Sequence, residues 1–174
     1  MKNKGFVLVE TLVASTVILG ALIFLFIQFS TIKNAYDKSF RYNTIPGLYS
    51  AKVLATFLEE NGYEKIETAL NNSTSGYVQI NNASCITYFE GGAMDLCKNI
   101  LDKIKSKQVL YVSSINSLQN NLKNNTITET DIFDKDFKEF IIQIGSNEDV
   151  SKKKLLISFE NNTYAVINIG EDKS

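Results

Sequence analysis

Lys4-Gly5-Phe6-Val7-Leu8-Val9-Glu10-Thr11-Leu12-Val13-Ala14-Ser15-Thr16-Val17-Ile18-Leu19-Gly20-Ala21-Leu22-Ile23-Phe24-Leu25-Phe26-Ile27-Gln28-Phe29 is the stretch whose reading decides the fold. From Phe6 to Phe29 it is apolar almost throughout, and at 1.5 Å rise per residue it makes a helix of about 36 Å, longer than the ~30 Å hydrocarbon core of a bilayer. Ser15, Thr16 and Gly20 alone interrupt the aliphatic and aromatic residues between Val13 and Ile27. Hydroxyls of this kind can bond back to helix carbonyls, so lipid tolerates them. Glu10 is the exception. A carboxylate deep in a bilayer costs about 2.5–3.5 kcal/mol even on lenient scales, which calls for a compensating partner. Lys2 and Lys4 precede the run and favour a cytoplasmic N-terminus, so the chain after Phe29 is expected outside the membrane.

Two simpler readings compete. A cleaved secretory signal needs a short apolar core and a small-x-small exit; here the core is too long and Phe26-Ile27-Gln28-Phe29-Ser30 offers no such site. An uncleaved signal anchor accounts for the length but not for Glu10 or the Gly5-Phe6 junction. Taken together, a basic leader, a Gly-hydrophobe junction, an acid at one offset and a spanning run resemble the N-terminus of type IV prepilins and pseudopilins. The resemblance covers about thirty residues and no more.

That resemblance implies cleavage between Gly5 and Phe6 by a prepilin peptidase/methyltransferase, with N-methylation of the new Phe6 amine. It makes Phe6 and Glu10 the assembly residues, the carboxylate of one subunit pairing with the amine of the next. It also implies a partner set of other pilin subunits, an inner-membrane assembly platform and membrane lipid. Glycine suits the junction because a bare backbone approaches a protease closely. The pairing fixes axial register, since a one-step slip strands a charge in apolar surroundings. Ile27 stands where many major pilins have a helix-breaking proline, so no local melting is expected between Val7 and Phe29. Tip subunits of such systems often lack the acid, and its presence here favours a place within the filament or just beneath its tip.

The remaining composition excludes more than it suggests. The chain has 174 residues, with 18 basic and 19 acidic side chains. Loss of residues 1–5 removes two lysines and leaves a net charge near −3, which provides no basic field for nucleic acid. Histidine and tryptophan are absent, which removes Ser-His and Cys-His nucleophile pairs and the commonest zinc ligand. No catalytic constellation, metal site or cofactor is expected, and the chain reads as a non-enzyme. The acidic cluster of Glu129, Asp131, Asp134, Asp136 and Glu139 lacks EF-hand spacing and a turn glycine and contains Lys135, so a solvated loop is expected. Lys152-Lys153-Lys154 reads as a solvated turn. Cys85 and Cys97 are the only cysteines; outside the cytoplasm a bridge between them is permitted, and so is a pair of free buried thiols. Five Asn-x-Ser/Thr sites, at Asn71, Asn72, Asn82, Asn124 and Asn161, reflect an asparagine-rich composition.

Ile32, Tyr36 and Phe40 stand four apart and extend the helix to about Tyr42. Pro46 disfavours helix at Ile45, which puts a break near residues 44–47, and Leu48, Ala51, Val53, Leu54, Phe57 and Leu58 resume helix up to Asn61-Gly62. Strands are expected at 77–80, 85–89, 109–112, 140–144, 155–159 and 164–169, with a two-residue turn at Asn161-Asn162. A helix is expected over 93–105, with Met94, Cys97, Ile100, Leu101 and Ile104 on one face, and a weak helix or loop over 118–125. The expected fold is α+β: a leader over 1–5, a transmembrane and assembly helix over 6–29, a stalk continuation over 30–62, and a head over 63–174 built on a small antiparallel sheet, with the stalk packed on the head as in pilins. The functional expectation is a minor pilin or pseudopilin-like subunit, single-pass in the cell membrane and extracellular after assembly. The alternative is an anchored surface binding module that never polymerises.

Overall fold

The computed structural model describes residues 3–62, 64–124, 134–144 and 153–170. The chain divides into two compact units, Met1–Phe40 and Arg41–Ser174. The first is a single helix, α1 (Asn3–Ser39). It runs without interruption through Gly20 and Ile27, as expected for a stretch with no proline.

The second unit is an α+β fold. Its elements are α2 (Ile45–Glu60), α3 (Glu64–Asn71), β1 (Tyr77–Gln79), α4 (Asn82–Tyr88), α5 (Gly91–Lys103), β2 (Ser106–Val112), α6 (Ile115–Lys123), α7 (Lys135–Gln143), β3 (Lys154–Phe159) and β4 (Tyr164–Asn168). The four strands form one antiparallel sheet in the order β1-β2-β3-β4. Alternate side chains enter two cores. Val109 and Tyr111 of β2, Leu155, Ile157 and Phe159 of β3, and Ala165 of β4 pack with Leu54 and Leu58 of α2, Ile66 of α3, Cys85 and Cys97. Leu110, Val112, Leu156, Tyr164 and Val166 pack on the other face with Leu118 and Leu122 of α6 and Phe137, Phe140 and Ile141 of α7. Helices cover both faces, which explains why β3 is buried from end to end rather than alternating.

The end of α1 and the start of α2 differ from the expected break. Asn43 adopts a left-handed φ of 50°. Residues 41–43 run beside β4: the Tyr164 amide donates to the Arg41 carbonyl at 2.8 Å and the Asn43 amide to the Tyr164 carbonyl at 2.8 Å. The Val166 amide donates to Asn43 Oδ1 at 3.0 Å. This segment occupies part of the open edge of β4, where unpaired amides otherwise invite a foreign strand. Pro46 does not break a helix; it lies in the first turn of α2, where its missing N–H costs nothing. Thr44 caps that turn by accepting from the Gly47 amide at 3.2 Å. α2 stops at Asn61, followed by Gly62 at φ 73°, as the sequence indicates.

Two expected strands are helices. Residues 85–89 lie mostly in α4, which starts with a capping box: the Ser84 amide donates to Asn81 Oδ1 at 2.9 Å and the Asn81 amide to Ser84 Oγ at 2.7 Å. Residues 140–144 belong mostly to α7, started by Asp134 accepting from the Phe137 amide at 2.7 Å and burying Phe137, Phe140 and Ile141 at helical spacing. Gln119 is buried and donates to the Ile141 and Ile144 carbonyls at 2.8 and 2.9 Å, tying α6 to the end of α7. Four residues, 160–163, join β3 to β4 in place of the expected two-residue turn. The Asn162 amide donates to the Phe159 carbonyl at 3.0 Å and Asn162 takes a φ of 57°, a turn followed by a left-handed residue.

Candidate functional site

Each residue of α1 from Leu8 to Phe29 is exposed. Fourteen of them are large and apolar, from Leu8 at 66 % to Phe26 at 72 % and Phe29 at 67 % exposure. Complete transfer of such side chains from water is worth about 1.5–3 kcal/mol each, or about 20–40 kcal/mol for the set. That exceeds the cost of carrying one carboxylate several-fold, so Glu10 does not by itself keep α1 out of an apolar environment. By length and composition α1 can cross a membrane, the qualifying stretch running from Leu8 to Asp37.

Four hydroxyls of this helix bond back to its own carbonyls, as anticipated for Ser15 and Thr16. Thr11, Ser15 and Thr16 donate to the carbonyls of Leu8, Leu12 and Val13 at 3.0, 2.9 and 2.8 Å, and Thr31 to Ile27 at 2.9 Å. Glu10 has no such bond: no described residue offers its carboxylate a hydrogen bond or an ion pair. Gly5 and Phe6 lie in the first turns of the same helix. Phe6 and Glu10 are four apart, so one helical face carries both, about 6 Å apart along the axis. A Cβ on Gly20 would meet nothing within 4 Å, so that glycine is not required by packing within the chain.

In the second unit, Cys85 of α4 and Cys97 of α5 form a disulfide, both residues fully buried. It closes the short α4–α5 segment onto the face of the sheet that carries α2. The lysine run is not a solvated turn. Lys154 begins β3, is 2 % exposed, and donates to Asn168 Oδ1 on the neighbouring strand. Lys153 pairs with Glu67 of α3, and Lys152 lies outside the described residues. Two members of the acidic cluster are paired with basic side chains. Asp134 caps α7 and pairs with Lys107 at 2.7 Å, Asp136 faces Arg41 at 3.7 Å, and Glu129 and Asp131 lie outside the described residues.

Among the described residues three titrations are displaced. Burial pushes the Tyr164 phenol up to about 12, helped by the negative charges of Asp134 and Asp136. Burial also raises Tyr77. The hydrogen bond and charge of Lys65, 2.6 Å away, hold the Glu90 carboxyl below its ordinary value. These shifts follow from burial and from neighbouring charges within the unit.

One surface feature was not anticipated. A shallow groove of about 330 Å³ runs between α2 and α5, lined by Tyr49, Lys52, Val53, Phe57, Leu96 and Ile100 among others. Tyr49 is 73 % and Leu96 48 % exposed. The signal was available in the sequence: Ile45, Tyr49 and Val53 stand four apart, a second apolar line on α2 beside the core-facing one.

Comparison with protein-family models, with curated proteins and with solved structures finds no match to this chain.

Proposed function

We propose that this chain is a structural subunit, minor pilin or pseudopilin-like, of a type IV filament system. The observation that carries the reading is Glu10: a carboxylate without a partner among the described residues, on a helix too apolar for water, one turn beyond a Gly-Phe junction behind a basic leader. Cleavage between Gly5 and Phe6 leaves the membrane helix attached and creates an amine on the face that carries the acid. Stacked copies then compensate each other's charges, the Phe6 amine of one against Glu10 of the next, in a low-dielectric setting where a mismatch is costly.

The prepilin peptidase/methyltransferase supplies the processing, and an inner-membrane platform and other pilin subunits supply the assembly. The leader stays cytoplasmic and the second unit lies outside. The Cys85–Cys97 bridge supports that orientation, since structural disulfides persist in oxidising compartments. The head then carries whatever distinguishes this subunit from others with the same N-terminus.

Two measurements test the proposal. Mass spectrometry of membrane-extracted protein should find N-methyl-Phe6 as the first residue, and Gly5→Val should block the cleavage by crowding the junction. An intact Met1 on wild-type protein would instead identify a membrane-anchored surface module. Glu10→Ala should insert and be cleaved normally, because removing the acid only lowers the cost of insertion, yet be depleted from sheared surface filaments. Equal release of Glu10→Ala and wild type would refute the assembly role of the acid.

A further inference from the structure

Beyond the apolar run, α1 carries a second ridge. Ile32, Tyr36 and Phe40 are 66, 60 and 64 % exposed. The Tyr36 and Phe40 rings lie 4.8 Å apart, so they form one continuous aromatic edge. Lys33 and Asp37 flank it, one turn apart and about 6 Å along the axis. The groove between α2 and α5 has the converse form. It is an apolar trough of Tyr49, Val53, Phe57, Leu96 and Ile100, with Lys52 and Glu60 along its α2 side.

We infer that the groove receives the outer part of α1, residues 32–40, of a second copy of this chain. The inference rests on the filament reading above, because that reading ends the lipid-spanning run at Phe29 and brings copies side by side. The charges select both occupant and direction. Antiparallel docking of the ridge along α2 sets Asp37 of one copy against Lys52 of the other and Lys33 against Glu60. Parallel docking sets Lys33 against Lys52 and Asp37 against Glu60, two repulsions. None of these four side chains has a charged partner within its own chain among the described residues, so each is available for the contact. Lys52 and Glu60 are about 12 Å apart along α2, and the long lysine side chains cover the difference from the 6 Å spacing on α1. The apolar ridge supplies the attraction, and the charges set direction and register.

The test uses two full-length copies with different affinity tags, co-expressed and extracted in mild detergent, with recovery of one copy on the other as the readout. Asp37→Lys in both copies, or Lys52→Asp in both, should lower recovery about threefold or more, the scale on which an exposed ion pair turned into a repulsion acts. Asp37→Lys in one copy with Lys52→Asp in the other forms one reversed pair in trans, and recovery should return above either double-reversal level. Tyr49→Asp, at an exposed position, should lower recovery while leaving the thermal midpoint of the head unchanged. Recovery indifferent to all these changes would overturn the docking, as would losses with no rescue in trans. Phe6 methylation is scored on the same samples. Methylation without rescue leaves the filament reading standing and removes this contact; rescue on a chain that retains Met1 does the reverse.

Discussion

Removing the Cys85–Cys97 bridge should destabilise the head by about 3 kcal/mol. The two residues are 12 apart in sequence, and closing a loop of that size removes about 3 kcal/mol of chain entropy from the unfolded state at 25 °C. Both cysteines are 0 % exposed, so Cys85→Ala with Cys97→Ala also leaves small voids in the core, which add to the loss. The unit Arg41–Ser174 has an unfolding entropy of roughly 0.3 kcal/mol/K at about 2.1 cal/mol/K per residue, so its Tm should fall by about 10 °C. The assay is thermal unfolding of a fragment beginning at Arg41, followed by circular dichroism, comparing the oxidised protein, the same protein in reductant and the double-alanine variant. Reductant should reproduce most of the shift without the void contribution. A Tm within about 2 °C across all three would refute the reasoning, because it would mean that α4 and α5 are already held together when the rest of the head is unfolded.

The same fragment should be soluble, cooperative and both helical and stranded by circular dichroism, since its two cores lie within residues 41–170; aggregation at every start between Arg41 and Thr44 would contradict this. Gly47→Ala places a Cβ 2.9 Å from Thr44 Oγ1 and 3.3 Å from Phe159 Cε2, so it should disturb the α2 cap and cost about 1–3 kcal/mol in denaturant unfolding. Tyr164 titrates near 12 in the folded head against 10.0 ordinarily. Its contribution is therefore complete below pH 10 and is lost as pH rises towards 12, because the unfolded state releases its proton first. Tyr164→Phe should flatten that alkaline loss. It should also leave neutral-pH stability equal or higher, as the Tyr164 hydroxyl is buried without a hydrogen-bond partner among the described residues; an unchanged slope above pH 10 would assign the loss to another group.

Long-range periodicity and extreme composition were readable without coordinates. An apolar run as long as residues 6–29 without proline is helical, and α1 follows from it alone. The helix over 91–103 and strands β2, β3 and β4 were legible for a related reason: their apolar runs are long or β-branched enough that packing and local preference agree. The bridge between Cys85 and Cys97 was permitted by the sequence, but only the fold brings the two residues together.

What the tertiary structure decided lies in short segments where the local signals conflict. Ile86-Thr87-Tyr88 and Phe140-Ile141-Ile142 are β-prone by composition, yet both are helical. Asn81 and Asp134 cap their first turns, and one buried face at helical spacing suffices when the sheet already lies beneath. Lys154 looks solvated in a run of lysines but is buried beside Asn168, because strand position, not neighbouring charge, sets where a side chain points. Arg41–Asn43 continues a helical pattern in sequence but pairs with β4, since an exposed sheet edge offers those amides more than another turn of helix would. These outcomes depend on partners tens of residues away, and no window of the sequence contains both sides of the bargain.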